Sequence, residues 1–257
     1  MDDYETFKKD IFALTQIDLN AYKERQMRRR IDSLILKNGF HTYREYVMAI
    51  KGNRALFEEF VNYLTINVSE FFRNPEQWTI LEKELLPIIL SGTKSPKIWS
   101  AACSTGDEPY TIVMILSKYM PLSSIRIIAT DIDKVILEKA KAGLYNEKSL
   151  RCVPKEFLDK YFTKVNEYTY KIADEIKRCV EFKNHNLLKD EYPKDCDLIV
   201  CRNVLIYFTE EAKTEIYKNF NKSLKKGGYL FVGSTEQIIQ SYVLNYETCK
   251  SFFYKKM

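Results

Sequence analysis

The sequence predicts a doubly wound α/β domain that carries a small inserted antiparallel β-subdomain and is preceded by an all-helical domain. Helical periodicity fills about the first 90 residues, and from Lys97 onward short apolar runs alternate with helical patterns. A stretch rich in Tyr, Phe and Lys at about 145–183 interrupts this alternation and predicts the insert. The expected boundaries are 1–74 for the helical domain, 75–96 for a linker helix and loop, and 97–257 for the α/β domain.

Composition limits the class of protein. A chain of 257 residues with 46% hydrophobic residues can fill a core without metals or cross-links. The six cysteines form no CxxC pair and only two histidines accompany them, so neither a zinc site nor a disulfide framework is expected. With no signal-like start and no apolar run near the ~20 residues that cross a bilayer, a cytoplasmic protein without membrane insertion is expected. The net charge of +5 is too modest to indicate a nucleic-acid partner.

The second predicted helix, at 22–37, has two different faces. One face carries a stripe of apolar residues, and the helix is expected to stop at Asn38-Gly39. Its basic residues either form an ordinary solvated face or bind an acidic helical partner. Other helices are expected at about 4–14, 42–51, 54–65 and 75–90, the stripe consists of Met27, Ile31, Leu34 and Ile35, and the basic run consists of Lys23, Arg25, Arg28, Arg29 and Arg30.

The α/β domain is predicted from alternating strands and helices, which is typical of βαβ units and a parallel sheet. The last two strand segments are expected to form an antiparallel pair at a sheet edge. Within the insert, TYKIAD and CVEFKN are predicted strands. The main strand segments are KIWSAA, IRIIATD, CDLIVCRN, YLFVG and YETCKSFFYKK, and the helices include YTIVMILSKYM, residues 134–142 and TEEAKTEIYKNFNKSL.

Polar residues follow the first strands of this domain. The loop Cys103–Pro109 has one glycine and two acids, where a pyrophosphate-binding loop would show GxGxxG. Its acids, Asp107 and Glu108, suit a ligand with cationic groups, such as the ammonium and sulfonium of S-adenosylmethionine. The alternative is that they are ordinary first-turn residues favoured by the helix dipole.

Asp131 ends the second strand, where a carboxylate can accept both hydroxyls of a ribose. Asp133 is better placed to cap the helix at 134–142, which leaves Asp131 for the ligand. Arg202 and Asn203 end a third strand and are expected to line the same pocket. Tyr207 follows them, either in the pocket or as a core aromatic with a surface hydroxyl.

Five ordered segments, TINVSEFFR, IWSAACSTGDEPYTI, IIATDID, CRNVLIYF and GSTE, closely resemble the CheR family of chemotaxis receptor methyltransferases. The resemblance covers nearly the whole chain. It implies a class I, Rossmann-like methyltransferase domain that uses S-adenosylmethionine, with S-adenosylhomocysteine as the product. It also implies methyl transfer to glutamate side chains of membrane chemoreceptors, the methyl-accepting chemotaxis proteins, to form glutamate methyl esters.

The resemblance also assigns residues by motif. Ser69 replaces the family's usual threonine but keeps the hydroxyl, and Glu108 matches the second acid of the family's G-E-E-P-Y-S loop. For Asn186 and Leu187, which match the family's segment beside the adenine, the alternative is that they form an ordinary loop. The implied cofactor contacts are Asn67, Ser69, Arg73, Glu108, Asp131, Asn186, Leu187, Arg202 and Asn203, and the catalytic candidates are Arg73 and Tyr207.

Receptor methylation helices are rich in glutamate, so the resemblance favours Arg25, Arg28 and Arg29 as substrate-binding residues with salt-sensitive docking. It leaves open whether the insert binds a receptor's C-terminal tail. A monomer is expected.

Two other functions compete with this interpretation. One is a methyltransferase for small molecules or nucleic acid, although the loop after the third strand lacks the Pro-Pro and aromatic that stack a flipped base. The other is a non-catalytic adaptor, which loss of the acids at 108 or 131 would have favoured.

Overall fold

The computed structural model describes residues 3–257, so Met1 and Asp2, the start of the predicted helical domain, lie outside it. The chain divides into two compact units, which we call the helical unit and the sheet unit. The helical unit contains the chain up to Asn67 together with Val204–Ile216, and the sheet unit contains Val68–Asn203 and Tyr217–Met257. This division differs from the predicted boundaries, because residues 68–74 belong to the sheet unit and 204–216 to the helical unit.

The helical unit contains the four helices that periodicity predicts, each within two residues of its expected ends. Their starts are set by side-chain caps: Asp3 and Asn53 accept backbone N–H groups, and Thr42 forms a capping box with Glu45. The helices are α1 (Tyr4–Thr15), α2 (Glu24–Lys37), α3 (Tyr43–Gly52) and α4 (Arg54–Thr65), and they bury an aromatic cluster of Tyr4, Phe7, Tyr43, Tyr46 and Phe60.

The sheet unit is built on one seven-stranded sheet in the order β6-β2-β1-β7-β8-β10-β9. The first five strands in this order are parallel. The last of them, β8, pairs antiparallel with β10, as predicted for the last two strand segments, but the terminal segment YETCKSFFYKK forms two antiparallel strands, β9 and β10, where one was predicted. Strands are added outward from β1 in both directions, which makes the sheet doubly wound and Rossmann-like. Its strands are β1 (Ile98–Ala101), β2 (Ile127–Asp131), β6 (Val180–Asn184), β7 (Cys196–Cys201), β8 (Leu224–Val232), β9 (Tyr246–Lys250) and β10 (Phe253–Lys256).

The helices in the rest of the chain after β1 are α7 to α12, and α7 is buried along nearly its whole length because it is largely apolar on all sides. Asp133 caps α8 by accepting the N–H groups of Val135 and Ile136, as predicted. The helices are α7 (Asp107–Leu116), α8 (Lys134–Ala142), α9 (Glu147–Leu150), α10 (Lys155–Tyr161), α11 (Asp174–Lys177) and α12 (Glu210–Ser223).

The inserted subdomain is a separate three-stranded antiparallel sheet, β3 (Leu144–Asn146), β5 (Thr169–Ile172) and β4 (Phe162–Lys164) in spatial order. The prediction that CVEFKN belongs to it was wrong. Residues Val180–Asn184 pair in parallel with β2 and form an edge of the main sheet. Edge strands alternate polar and apolar residues just as strands of a small insert do, so this sequence pattern cannot tell the two apart.

The linker segment is one continuous run of helix with a widened turn. It consists of α5 (Pro75–Ile80), a π-helical turn Leu81–Leu85 and α6 (Leu86–Gly92). The N–H of Leu86 donates to the carbonyl of Leu81, five residues back. Pro87 has no N–H to donate, so the wider turn accommodates it without breaking the helix, a feature that the predicted uniform helix missed.

Three further findings concern residues 3–257. No helix in this range is both long enough and apolar enough to span a membrane. Nor does this part of the chain bring together three or more His, Cys, Asp or Glu side chains in a way that could hold a metal ion. All six cysteines are free thiols.

Candidate cofactor-binding site

Three acidic residues lie at the carboxyl ends of neighbouring parallel strands in the sheet unit. Asp107 and Glu108 begin α7, directly after the loop that leaves β1, and Asp131 is the last residue of β2. The strand order changes direction at β1, which has β2 on one side and β7 on the other. Crevices at such a reversal are the usual ligand sites of open α/β sheets.

Asp107 is completely buried, and one of its two carboxylate oxygens has no partner. Oδ2 accepts a hydrogen bond from the Thr105 hydroxyl, and Ser69 also bonds to the carboxylate, whereas Oδ1 is buried without a hydrogen bond. Burial raises the pKa of Asp107 to about 6, although both hydroxyls lower it. Ser69, predicted as a cofactor contact, is thus brought to an acid that lacks a cationic partner.

Glu108 lies between a serine and an arginine. Its Oε1 accepts the Ser100 hydroxyl at 2.7 Å, and its Oε2 lies 3.8 Å from a guanidinium nitrogen of Arg202. Burial raises the pKa of Glu108 to about 7, although Arg202 and Ser100 favour the charged form. Glu108, which was predicted to contact the cofactor, therefore has a pKa close to neutral pH.

Asp131 is held by backbone donors on both oxygens. Oδ2 accepts the N–H of Ser104 at 2.8 Å and Oδ1 accepts that of Asp133 at 3.0 Å. Burial raises the pKa of Asp131 to about 6 against these two hydrogen bonds. Each carboxylate oxygen can accept more than one donor, so the remaining lone pairs are available to two hydroxyls of a ligand.

The loop after β6 is tied to the same aspartate. The backbone carbonyl of Asp131 accepts the N–H of His185 at 2.9 Å and the side-chain amide of Asn184 at 3.0 Å. The Oδ1 of Asn186 accepts the N–H of Leu188, so this side chain builds its own turn, as the loop interpretation expects. Leu187 is nearly buried, 8% exposed. Both predicted residues directly follow His185, whose N–H is bonded to Asp131.

Arg202 is a buried tie within the sheet unit. One of its terminal nitrogens donates to the carbonyl of Arg73 at 2.7 Å, to the Asn74 side chain at 3.2 Å and to the Gln77 side chain at 2.9 Å. Its guanidinium stacks on aromatic rings, 5.0 Å from Trp78 and 4.7 Å from Phe231. The side chain is 3% exposed. Sequence reasoning missed this role: Arg202 orients Glu108 and holds the segment that carries Arg73.

Glu236 is a further buried acid, to which sequence reasoning assigned no role although GSTE was among the quoted motifs. Its Oε2 accepts the N–H of Asn203 at 2.6 Å and the N–H of Gly233 at 2.8 Å. Asn203 has φ 62°, in the left-handed region. A Cβ on Gly233 would lie 2.5 Å from this oxygen, so glycine is required for the close approach. Glu236 thereby joins the ends of β7 and β8.

The remaining predicted residues are placed as follows. Arg73, in the sheet unit, donates to the carbonyl of Val68. Asn67 and Tyr207 belong to the helical unit, where the Asn67 amide donates to the Thr65 hydroxyl. On α2, Arg25 and Arg29 are exposed, whereas Arg28 is partly buried, 5.0 Å from the ring of Tyr4.

The sheet unit thus collects buried carboxylates whose charged forms lack full compensation. Such groups favour a bound cation, because an opposite charge in a low-dielectric site stabilises the ionised acid. The unpartnered Oδ1 of Asp107 and the free lone pairs of Asp131 fit an ammonium and a ribose, respectively. S-adenosylmethionine carries both groups.

The sequence matches two family models. Residues 2–65 match the all-alpha domain of the CheR methyltransferases, and residues 67–252 match their SAM binding domain. A chemotaxis protein methyltransferase of Listeria monocytogenes is 40% identical over 255 residues, covering 99% of this chain and 97% of the relative. One of Borreliella burgdorferi is 34% identical, covering 92% and 88%, and one of Pseudomonas aeruginosa is 33% identical, covering 92% and 90%. The chain therefore belongs to the CheR methyltransferase family and is a methyltransferase that uses S-adenosylmethionine.

Proposed function

We propose that this enzyme transfers the methyl group of S-adenosylmethionine to glutamate side chains of chemoreceptor methylation helices in the cytoplasm. The observation that carries the proposal is the set of buried acids at the ends of β1 and β2, with one oxygen of Asp107 unpartnered. In a chain of this family, that set provides an acidic site for the cationic cofactor. S-adenosylmethionine supplies a methyl group on a positively charged sulfur, which leaves as a neutral thioether.

The proposed contacts divide by chemistry. Asp131 accepts the ribose hydroxyls, and Glu108 and Ser69 lie with Asp107 on the side of the cationic groups. Asn186 and Leu187 are proposed to lie beside the adenine, and Asn67, Arg73 and Asn203 to complete the site. Arg202 acts through Glu108, because its guanidinium is already bonded to the segment 73–77.

The proposed acceptor needs no general base. A glutamate has a reference pKa near 4.3, so at neutral pH its carboxylate is already the nucleophile. Its oxygen forms a bond to the methyl carbon as the carbon–sulfur bond breaks, and no proton moves. The protein must then align the reacting atoms and exclude water, and positioning of this kind contributes about 7 to 11 kcal/mol. Arg73 and Tyr207 are the proposed groups that orient the carboxylate.

Substrate docking is proposed to involve α2, whose exposed arginines suit a glutamate-rich helix. Arg25 and Arg29 are free to face such a partner, and Arg28 supports them from the flank. Attraction between exposed charges is weak and screened by salt, so docking should be steered by charge rather than tight. A receptor tail could add a strand to the exposed edge of the small sheet β3-β5-β4, with the enzyme acting as a monomer.

The test is transfer of labelled methyl to a chemoreceptor cytoplasmic fragment, followed by mild alkali. The wild-type enzyme is expected to leave base-labile label on the receptor fragment. Asp131→Ala is expected to leave none, because removing that carboxylate removes the proposed acceptor for the ribose hydroxyls. Asp133→Asn is the matched control: the residue lies two positions away, and asparagine still caps α8. Cofactor binding without receptor labelling would refute the substrate and favour a small-molecule methyltransferase. Absence of cofactor binding would favour an adaptor.

A further inference from the structure

The backbone around Tyr207 is bonded to the segment that leads into the basic helix α2. The N–H of Lys23 donates to the carbonyl of Tyr207 at 2.9 Å, and the N–H of Thr209 donates to the carbonyl of Ala21 at 2.8 Å. Between these two bonds, Tyr22 and Phe208 form an antiparallel bridge. All of these residues belong to the helical unit.

Ring packing reinforces this bridge. Tyr22 stacks on Phe208 with ring centroids 4.6 Å apart and an interplanar angle of 29°. Phe208 is only 4% exposed, so its ring is anchored in the helical unit. Tyr207 is thus flanked by a buried aromatic on one side and is bonded through its own carbonyl to Lys23.

Lys23 connects this bridge directly to α2. It is the N-cap residue of the helix, and its carbonyl accepts the N–H of Met27, the first bond of the helical ladder. The N–H groups at a helix start have no partner within the helix. Here the N–H of Lys23 is satisfied by Tyr207, so a single residue joins the first turn of α2 to the tyrosine.

We propose that Ala21–Lys23 is a positioning segment for Tyr207, so that the helix that docks the substrate and the tyrosine that acts on it are parts of one body. The partner is an acidic helix bound on α2, and the segment holds Tyr207 in fixed register with it. This inference rests on the proposed function. It assigns two separable effects: the arginines of α2 determine receptor KM, and the positioning segment determines kcat.

The sharpest test removes one backbone donor. Lys23 has φ −60° and Tyr22 has φ −103° and ψ 154°, values that proline and a residue before proline adopt without strain. Lys23→Pro therefore deletes the N–H bonded to Tyr207 and puts the ring Cδ against the Tyr207 carbonyl, so it opens the bridge while the helix start is kept. Lys23→Ala is the matched control, because it removes the same side chain and keeps the N–H.

The expected result is a kcat for methyl transfer to the receptor fragment that is about threefold to tenfold lower in Lys23→Pro than in Lys23→Ala, the range for losing one hydrogen bond. Receptor KM should be equal in the two variants, and both should bind S-adenosylhomocysteine as the wild type does. Equal kcat values would overturn the inference. A loss of cofactor affinity that matches the loss of kcat indicates general unfolding of the proline variant, and the second pair of variants then decides.

A second pair guards against a proline variant that does not fold. Tyr22→Ala removes the ring that stacks on Phe208, whereas Tyr22→Phe keeps it, so kcat should be several-fold lower in the alanine variant, as with a lost aromatic pair. Equal kcat values in this pair would refute the positioning role. If the wild type transfers no methyl group to the receptor, the proposed function fails and this inference fails with it. If the wild type is active but the paired variants have equal kcat values, only the inference fails.

Discussion

Replacing Glu236 tests whether the tie between β7 and β8 supports cofactor binding. Its Oε2 accepts two N–H groups, the buried one of Gly233 and the partly buried one of Asn203. Glu236→Ala leaves both donors unsatisfied, at about 1 to 3 kcal/mol each, which predicts a loss of about 2 to 6 kcal/mol in the free energy of unfolding. Glu236→Gln keeps one carbonyl acceptor in the same place and loses only the charge, so it should lose about 1 kcal/mol.

The effect on the cofactor follows from the backbone of Asn203. Its φ of 62° lies in the left-handed region, which asparagine adopts more readily than other non-glycine residues, and the bond to Glu236 helps to hold it there. Without that bond the residue can relax, so Kd for S-adenosylhomocysteine should rise about tenfold in Glu236→Ala and recover in Glu236→Gln. Gly233→Ala should weaken binding in the same way, because its Cβ would lie 2.5 Å from the carboxylate and 2.8 Å from the Asn203 nitrogen.

Calorimetric titration with S-adenosylhomocysteine and thermal unfolding measure the two quantities separately. The control is Asp197→Ala, near the opposite end of β7, where the carboxylate accepts the N–H of Lys97 at 2.7 Å and pairs with Lys225. This variant should lower Tm and leave Kd unchanged. If Asp197→Ala weakens binding as much as Glu236→Ala does, the tie has no special link to the site and the reasoning fails.

Two other predictions concern charge. Because burial raises the pKa values of Asp107, Asp131 and Glu108 to about 6, 6 and 7, the folded protein binds more protons than the unfolded chain between about pH 4 and 7. Without ligand, the contribution of these acids to the free energy of unfolding should therefore fall as pH rises through this window. The increase in Tm caused by S-adenosylhomocysteine should be larger at pH 8 than at pH 5.5. An equal increase at the two pH values would contradict the proposal that these acids bind a cationic group. Reversing Arg25 and Arg29 to glutamate should raise receptor KM about tenfold at low salt and much less in 0.5 M salt, with kcat unchanged. The same reversal at exposed Arg44 on α3 is the control, and equal effects at both places would contradict docking on α2.

The sequence predicted features that depend on neighbouring residues. Asp133 was expected to cap α8 and does so, because a cap needs only the next three residues. The stripe of α2 is buried as predicted, since helical periodicity alone determines which side chains share a face. The strands that end at Asp131 and Cys201 were expected for a similar local reason.

Features that depend on distant residues could not be predicted in this way. CVEFKN was placed in the insert because its pattern suits either sheet, and only pairing with β2 distinguishes them. Arg202 has no local signal for a bond to the carbonyl of Arg73, 129 residues away. The same applies to Glu236 and Asn203, which are 33 residues apart.

Two backbone positions with positive φ in the sheet unit, Ser104 and Asn203, are held by buried carboxylates. Non-glycine residues with positive φ are uncommon, yet Ala102 and Ser104 lie on either side of Cys103 in the chain that leaves β1, and Asn203 lies two residues after the end of β7. Each such residue costs of order 1 to 3 kcal/mol, and it persists only where surrounding bonds hold it. Here Asp131 holds Ser104 and Glu236 holds Asn203, so the buried carboxylates of the proposed cofactor site also fix the backbone around it.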